Sequence, residues 1–133
     1  MRDIKKLSIV IPAFNEAETI HRILNKIKEV ELLNNIEKEI IIVNDCSSDK
    51  TDDNIQKYIN NNSNLDIKYF AHEVNLGKGA ALHTGIKKAT GEVIIIQDAD
   101  LEYDPIEYNI LLKPILDGFA DVLWKSFYGW KTT

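Results

Sequence analysis

The run Asp98-Ala99-Asp100 carries the most chemistry per residue in the chain. It follows the apolar stretch 93–96, so two carboxylates leave a buried segment almost together. In an extended chain, residues two apart project to the same side. Converging carboxylates repel unless a proton or a cation lies between them. Mg2+ or Mn2+ suits such oxygen donors and commonly completes its shell with water and phosphate oxygens. An ion held there would neutralise charge on a departing diphosphate. A bare D-x-D also serves as a simple turn cap before a helix; the buried run ahead of it gives this one its weight.

Asn44-Asp45 follows a second apolar run, 40–43, and repeats the theme. Asp45 in that place suits a hydrogen bond from a nucleobase or a ribose hydroxyl. Ser47, Ser48 and Asp49 read instead as turn and helix-cap residues. The stretch Asn75-Leu76-Gly77-Lys78-Gly79-Ala80-Ala81 has neither the G-x-x-x-x-G-K-[ST] nor the G-x-G-x-x-G spacing. Its glycines suit a tight turn, and Lys78 near a helix start is placed to approach a phosphate. His21, His72 and His83 form no ligand-spaced pair, and His21 and His83 read as helix-surface residues. Cys46 has no partner that would make it a nucleophile. Trp124, Phe127, Tyr128 and Trp130 form an aromatic tail, packed on the domain or walling a second substrate.

These residues need a frame that converges them. Five runs rich in β-branched residues, 7–11, 40–43, 67–71, 93–96 and 121–123, read as strands. Between them, 16–30 places Ile20, Ile23, Leu24, Ile27 and Val30 on one helical stripe, with Asn15 and Glu18 resembling a capping box. Further helices are expected from 48 or 49 to about 60, from 79 to 88 with Gly91 closing, and from Asp104-Pro105 to about Gly118. Alternation of strand and helix predicts a mostly parallel sheet with helices on both faces, a three-layer α/β/α domain. Parallel sheets bind ligands at the carboxyl ends of their strands. All four candidate loops open on that edge.

Composition narrows the classes. A chain of 133 residues is expected to form one domain. A net charge of -5 argues against a nucleic-acid binder. The single cysteine allows no internal disulfide and fits a reducing, cytoplasmic setting. No apolar run is long enough to span a bilayer, although a lipid-linked substrate would bring the protein to a membrane surface.

Taken together, the motifs resemble those of family 2 glycosyltransferases. Residues 8–16, ending Pro12-Ala13-Phe14-Asn15-Glu16, look like the P-x-[YF]-N-E opening of that family. Val43-Asn44-Asp45-Cys46-Ser47-Ser48-Asp49 is similar to its V-D-D-G-S-x-D segment, and 75–81 to its N-x-G-x-[GA]-x-A stretch. Gly91-Glu92 through Asp98-Ala99-Asp100-Leu101 resembles G-[DE] followed by D-A-D-L, in the form used by polyprenyl-phosphate hexosyltransferases such as dolichyl-phosphate mannosyltransferases.

The resemblance implies a GT-A fold and inverting, metal-dependent transfer of a hexose from a nucleoside-diphosphate sugar. It implies that Pro12, Phe14 and Glu16 line a nucleoside pocket and that Val43 and Asp45 contact base or ribose. Asp98 and Ala99 would lie against ribose and diphosphate. Asp100 would hold Mg2+ or Mn2+, with Asp98 and Glu102. The implied donors are of the GDP-mannose or UDP-glucose type, and the implied acceptors a polyprenyl phosphate at the cytoplasmic membrane face or a cell-surface glycan.

Three features depart from the family pattern. Asn44 replaces the first acid of the usual pair, and Cys46 stands where glycine is usual. The acceptor region and catalytic base of the family lie beyond the point reached at residue 133, so the chain is expected to be the donor-binding part of a longer GT-A domain. The rival expectations are a nucleotide-sugar-binding fragment without catalysis and a nucleotidyltransferase-like enzyme on a related fold. The second is disfavoured because Phe14-Asn15-Glu16 occupies the place where such enzymes carry a glycine-rich loop or key aspartate.

Overall fold

A computed structural model describes residues 3–99 and 104–118. Among the described residues four strands, β1 (Lys6–Ala13), β2 (Glu37–Asn44), β3 (Ile67–Ala71) and β4 (Val93–Ile96), form a parallel sheet in the order β3-β2-β1-β4. The expected fifth strand at 121–123 lies outside the described residues. The order reverses direction between β1 and β4, which opens a crevice at their carboxyl ends.

Alternation along the strands sorts the two faces. Leu7, Ile9 and Ile11 of β1 pack with Ile40 and Ile42 of β2 against Ile20, Ile23, Leu24 and Ile27 of α1 (Ile20–Glu29). Ile55 of α2 (Thr51–Asn61) and Leu112 of α4 (Tyr108–Leu116) complete that core. On the other face Val10, Ile41 and Val43 meet Ala81 and Leu82 of α3 (Lys78–Lys88). Both faces of β1 and β2 are therefore dry, which is why their middles read as continuous apolar runs. Gly85 lets α3 lie against the sheet: a Cβ there would meet Val10 Cγ1 at 2.3 Å.

Three sequence expectations are corrected. Helix α1 starts at Ile20 rather than at 16, and Thr19, its N-cap, makes no side-chain cap bond. Asn15 is not a capping-box residue. It takes a left-handed φ of 53°, and its Oδ1 accepts from the Ser48 N–H at 2.9 Å, tying the first loop to the second. Gly91 does not close α3, whose C-cap is Ala89. Instead the Gly91 N–H donates to Ser8 Oγ at 2.8 Å, where a Cβ would lie 2.7 Å from the Lys6 carbonyl oxygen. The start of the fourth helix is as expected: Asp104 accepts from Ile106 N–H at 3.0 Å ahead of a short 3-10 turn, Pro105–Glu107, that leads into α4.

The amino edge of the sheet carries a buried carboxylate. Glu39, whose side chain has no exposed surface, accepts from Ser8 Oγ at 2.7 Å and from Thr90 N and Oγ1 at 2.9 and 2.6 Å. Lys68 Nζ donates to Oε2, the oxygen that also accepts from Thr90 Oγ1. Burial pushes the Glu39 pKa up, but these donors outweigh it and hold the group down at about 2.

Candidate functional site

At the opposite, carboxyl edge the four loops surround a cavity of about 350 Å3. Its wall includes Pro12 near the end of β1, Phe14 and Glu16 after it, Asp45 after β2, Asn75, Gly77 and Lys78 before and within α3, and Asp98 and Ala99 after β4. Seven of the eight residues expected to bind a nucleotide-sugar are thus brought together. The eighth, Val43, lies below the wall: its side chain is fully buried with Val10, Ile41 and Leu82. Position 43 points into the α3 layer because it alternates with Asn44, so its side chain is not available to a ligand. Asp100 and Glu102, the other expected metal ligands, lie outside the described residues, as does the aromatic tail.

Asp45 is the organiser of the third loop. Its side chain is 4% exposed, and its oxygens accept from Leu76 N–H at 2.9 Å and Gly77 N–H at 2.7 Å. His72 Nδ1 lies 2.8 Å from Oδ1, and His72 Nε2 lies 2.9 Å from Thr84 Oγ1. A carboxylate only accepts, so the His72 proton belongs on Nδ1 when the ring is neutral, and the Thr84 hydroxyl donates to Nε2. Burial pushes the Asp45 pKa up, yet the bonds from His72, Leu76 and Gly77 prevail and hold it below the usual carboxylate range. The loop that begins α3 is therefore fixed by the residue that ends β2. Asn75 Nδ2 adds a bond to the Asp45 carbonyl at 3.2 Å.

Asp98 emerges two residues past β4. Before it, Gln97 is buried and turns to the α4 face, where Gln97 Oε1 accepts from Tyr108 OH at 2.7 Å. Gln97 N–H donates to the Val10 carbonyl at 2.9 Å, which keeps this segment paired with β1. Alternation then sends Asp98 to the cavity face, where its Oδ1 lies 2.8 Å from Lys78 Nζ. The acidic member of the pair is almost buried and the lysine is half-exposed.

The first two loops hold each other. Asn15 N–H donates to Ser47 Oγ at 2.9 Å, Glu16 N–H to Thr51 Oγ1 at 2.8 Å, and Ala17 N–H to Asp49 Oδ2 at 3.3 Å. Ser47, Ser48 and Asp49 thus serve loop structure, as their residue types indicate. Asn44 does not face the cavity. Its Oδ1 accepts from Ser47 N–H and Oγ at 3.1 and 2.6 Å, and its Nδ2 donates to Tyr69 OH, which in turn donates to Asp52 Oδ1 at 2.6 Å. An amide fits between these groups where a carboxylate would lack the donor, so the departure at 44 belongs to the loop rather than to the pocket. Cys46 adopts φ 59°, a left-handed conformation that glycine takes freely and other residues only at a cost.

Two organising residues carry no motif that sequence reasoning could use. His72 has no metal-like spacing; its one signal is its place just past β3, beside the acid that follows β2. Tyr108 has no signal at all. Among the described residues no group of three or more His, Cys, Asp or Glu side chains is placed to hold a metal ion. The polar side-chain atoms of Glu16, Asp45 and Asp98 in the wall are all carboxylate oxygens, which is the donor chemistry of a hard divalent cation. Among the described residues no helix is long and apolar enough to cross a membrane.

The family model described as Glycosyl transferase family 2 matches residues 8–132. A dolichol-phosphate mannosyltransferase of Pyrococcus furiosus is 30% identical over 123 residues, which are 92% of this chain and 33% of that protein. A poly-beta-1,6-N-acetyl-D-glucosamine synthase of Staphylococcus epidermidis is 38% identical over 103 residues, 77% of this chain and 24% of that protein. The chain therefore spans a third or less of the length of these relatives. Among solved structures, the mannosyltransferase PcManGT of Pyrobaculum calidifontis, in complex with GDP-Man and Mn2+, superposes with a TM-score of 0.67 at 27% identity. That match covers 74% of this chain and 28% of the other.

Proposed function

The chain belongs to glycosyl transferase family 2, with a GT-A fold, and from that premise we propose that it is the donor-binding part of a single, longer GT-A domain. The domain transfers a hexose, with inversion, from a nucleoside-diphosphate sugar of the GDP-mannose or UDP-glucose type. The acceptor class is a polyprenyl phosphate at the cytoplasmic membrane face or a cell-surface glycan. The observation that carries this reading is the cavity where all four loops converge, with the almost buried Asp98 delivered to it from the carboxyl end of β4.

Each wall residue has a physical task in this reading. Phe14, 46% exposed at the rim, offers an aromatic face for a base to stack on. Glu16 accepts from a ribose hydroxyl. Asp45 acts through the loop it fixes, presenting Asn75, Gly77 and Lys78 to the donor. Lys78, the first residue of α3, pairs with the diphosphate, aided by the positive end of the helix. A bound Mg2+ or Mn2+, held by Asp98 with Asp100 and Glu102, supplies charge neutralisation of the departing diphosphate. The general base that would deprotonate the acceptor belongs to the part of the domain that follows this chain.

Calorimetric titration with UDP and GDP, with and without Mn2+, tests the reading. Metal-dependent binding of one nucleotide is the expected result and identifies the base. A folded chain that binds neither nucleotide in the presence of Mn2+ refutes the donor-site reading for these residues.

A further inference from the structure

The pair formed by Lys78 and Asp98 crosses the cavity from the third loop to the fourth, with its charged atoms 2.8 Å apart. The two partners are unequally placed. The Asp98 side chain is 8% exposed, and a carboxylate so buried is costly unless a positive charge neutralises it. The Lys78 side chain is 41% exposed, on a long stem whose ammonium reaches other partners without moving the backbone. That backbone is fixed, because Asp45 holds the N–H groups of Leu76 and Gly77 just ahead of it. A change of partner at Lys78 therefore involves its side chain alone.

Building on the donor-site reading, we propose that Lys78 is a stand-in cation that neutralises Asp98 while no donor is bound and competes with a divalent metal for it. A metal arriving without nucleotide must first displace the ammonium from its carboxylate. A diphosphate gives the ammonium a new anionic partner and so removes that cost. Metal and diphosphate therefore bind with positive coupling, and by linkage each raises the affinity of the other by the same factor. The lysine thus disfavours a metal-loaded site that lacks a donor.

The test uses Mn2+ itself as the probe, titrated into the 133-residue chain and followed by the paramagnetic resonance of the free ion. Wild type is compared with Lys78→Met and with the charge-retaining Lys78→Arg, first without nucleotide and then with GDP or UDP. Lys78→Met is expected to bind Mn2+ alone at least about fivefold more tightly than wild type, while Lys78→Arg stays close to wild type. The gain in Mn2+ affinity on adding nucleotide is expected to shrink in Lys78→Met. Unchanged or weaker Mn2+ binding by Lys78→Met, or none in either protein, overturns the proposal. The metal-only arm contains no nucleotide, so failure there is distinguishable from failure of the donor site, which rests on nucleotide binding by the wild type. Matching circular dichroism spectra confirm that the variants are folded, as the half-exposed position leads one to expect.

Discussion

Strand β2 begins and ends near two buried carboxylates that look alike in isolation. Glu39 lies near its amino end and Asp45 just past its carboxyl end, and both are held below the ordinary carboxylate range by several hydrogen bonds that outweigh burial. Their surroundings differ. Glu39 joins Ser8, Thr90 and Lys68 across the amino edge and does not line the cavity, whereas Asp45 stands in the cavity wall and fixes a loop that faces it. A perturbed buried acid is thus no marker of a binding site by itself. Position relative to strand direction separates the two, because the loops and helix starts that present ligand groups gather at the carboxyl ends.

That contrast can be broken experimentally. The largest effect is expected for Glu39→Ala, which leaves Lys68 without its buried partner and should cost about 3–5 kcal/mol in denaturant unfolding. The same variant should leave the nucleotide affinity of the folded fraction unchanged; a matching loss of affinity would erase the distinction between the edges. The pH dependence follows from the same group. Its folded-state pKa of about 2 lies below the unfolded value of 4.5, so its stabilisation is complete above about pH 5 and is lost as the pH falls towards 2. About 3 kcal/mol of acid-sensitive stability should therefore vanish from the pH–stability curve of Glu39→Ala.

Asp98→Asn is the converse case. It should weaken Mn2+-dependent nucleotide binding by about 100-fold, close to 3 kcal/mol, while shifting the unfolding midpoint only slightly. Asp45→Asn should fall between the extremes. Converting one accepting oxygen to a donor opposes either the Gly77 N–H at Oδ2 or both the Leu76 N–H and the Nδ1 proton of His72 at Oδ1, for a stability loss of about 1–3 kcal/mol. Nucleotide affinity should fall with it, because the loop before α3 loses its anchor. The smallest change is expected for Asn44→Asp, about 1 kcal/mol in thermal unfolding, since the new carboxylate faces Tyr69 without the amide donor. Nucleotide affinity should not change, in keeping with a side chain turned away from the cavity.

The architecture is readable in the sequence because both layers of helices demand dry strands. Residues 40–43 are dry on both faces, whereas the equally apolar run 93–96 forms a strand that is only partly buried and leaves Ile94 37% exposed. The cavity edge is legible for the same reason, since strand direction follows from alternation with helices. What stays hidden is the division of labour among polar residues. Asp45 and Val43 carry the same family resemblance, yet one lines the wall and the other packs under it, a difference set by which face of β2 each occupies. Asn15 resembles a helix cap because a capping pattern is local, while its actual partner, Ser48, is 33 residues away. His72 is opaque on similar grounds: its two partners come from different elements, and neither is near it in sequence.

The left-handed backbone at Cys46 has a practical consequence. The chain's single cysteine is solvent-exposed and lies directly after Asp45, with its Sγ 3.4 Å from the Glu73 carbonyl oxygen of the third loop. A maleimide dye attached there would sit beside the cavity wall, with no second thiol in the chain to confuse the signal. Its fluorescence would then report loading of the pocket in real time, so a residue that costs about 1 kcal/mol of backbone strain doubles as a ready-made optical probe.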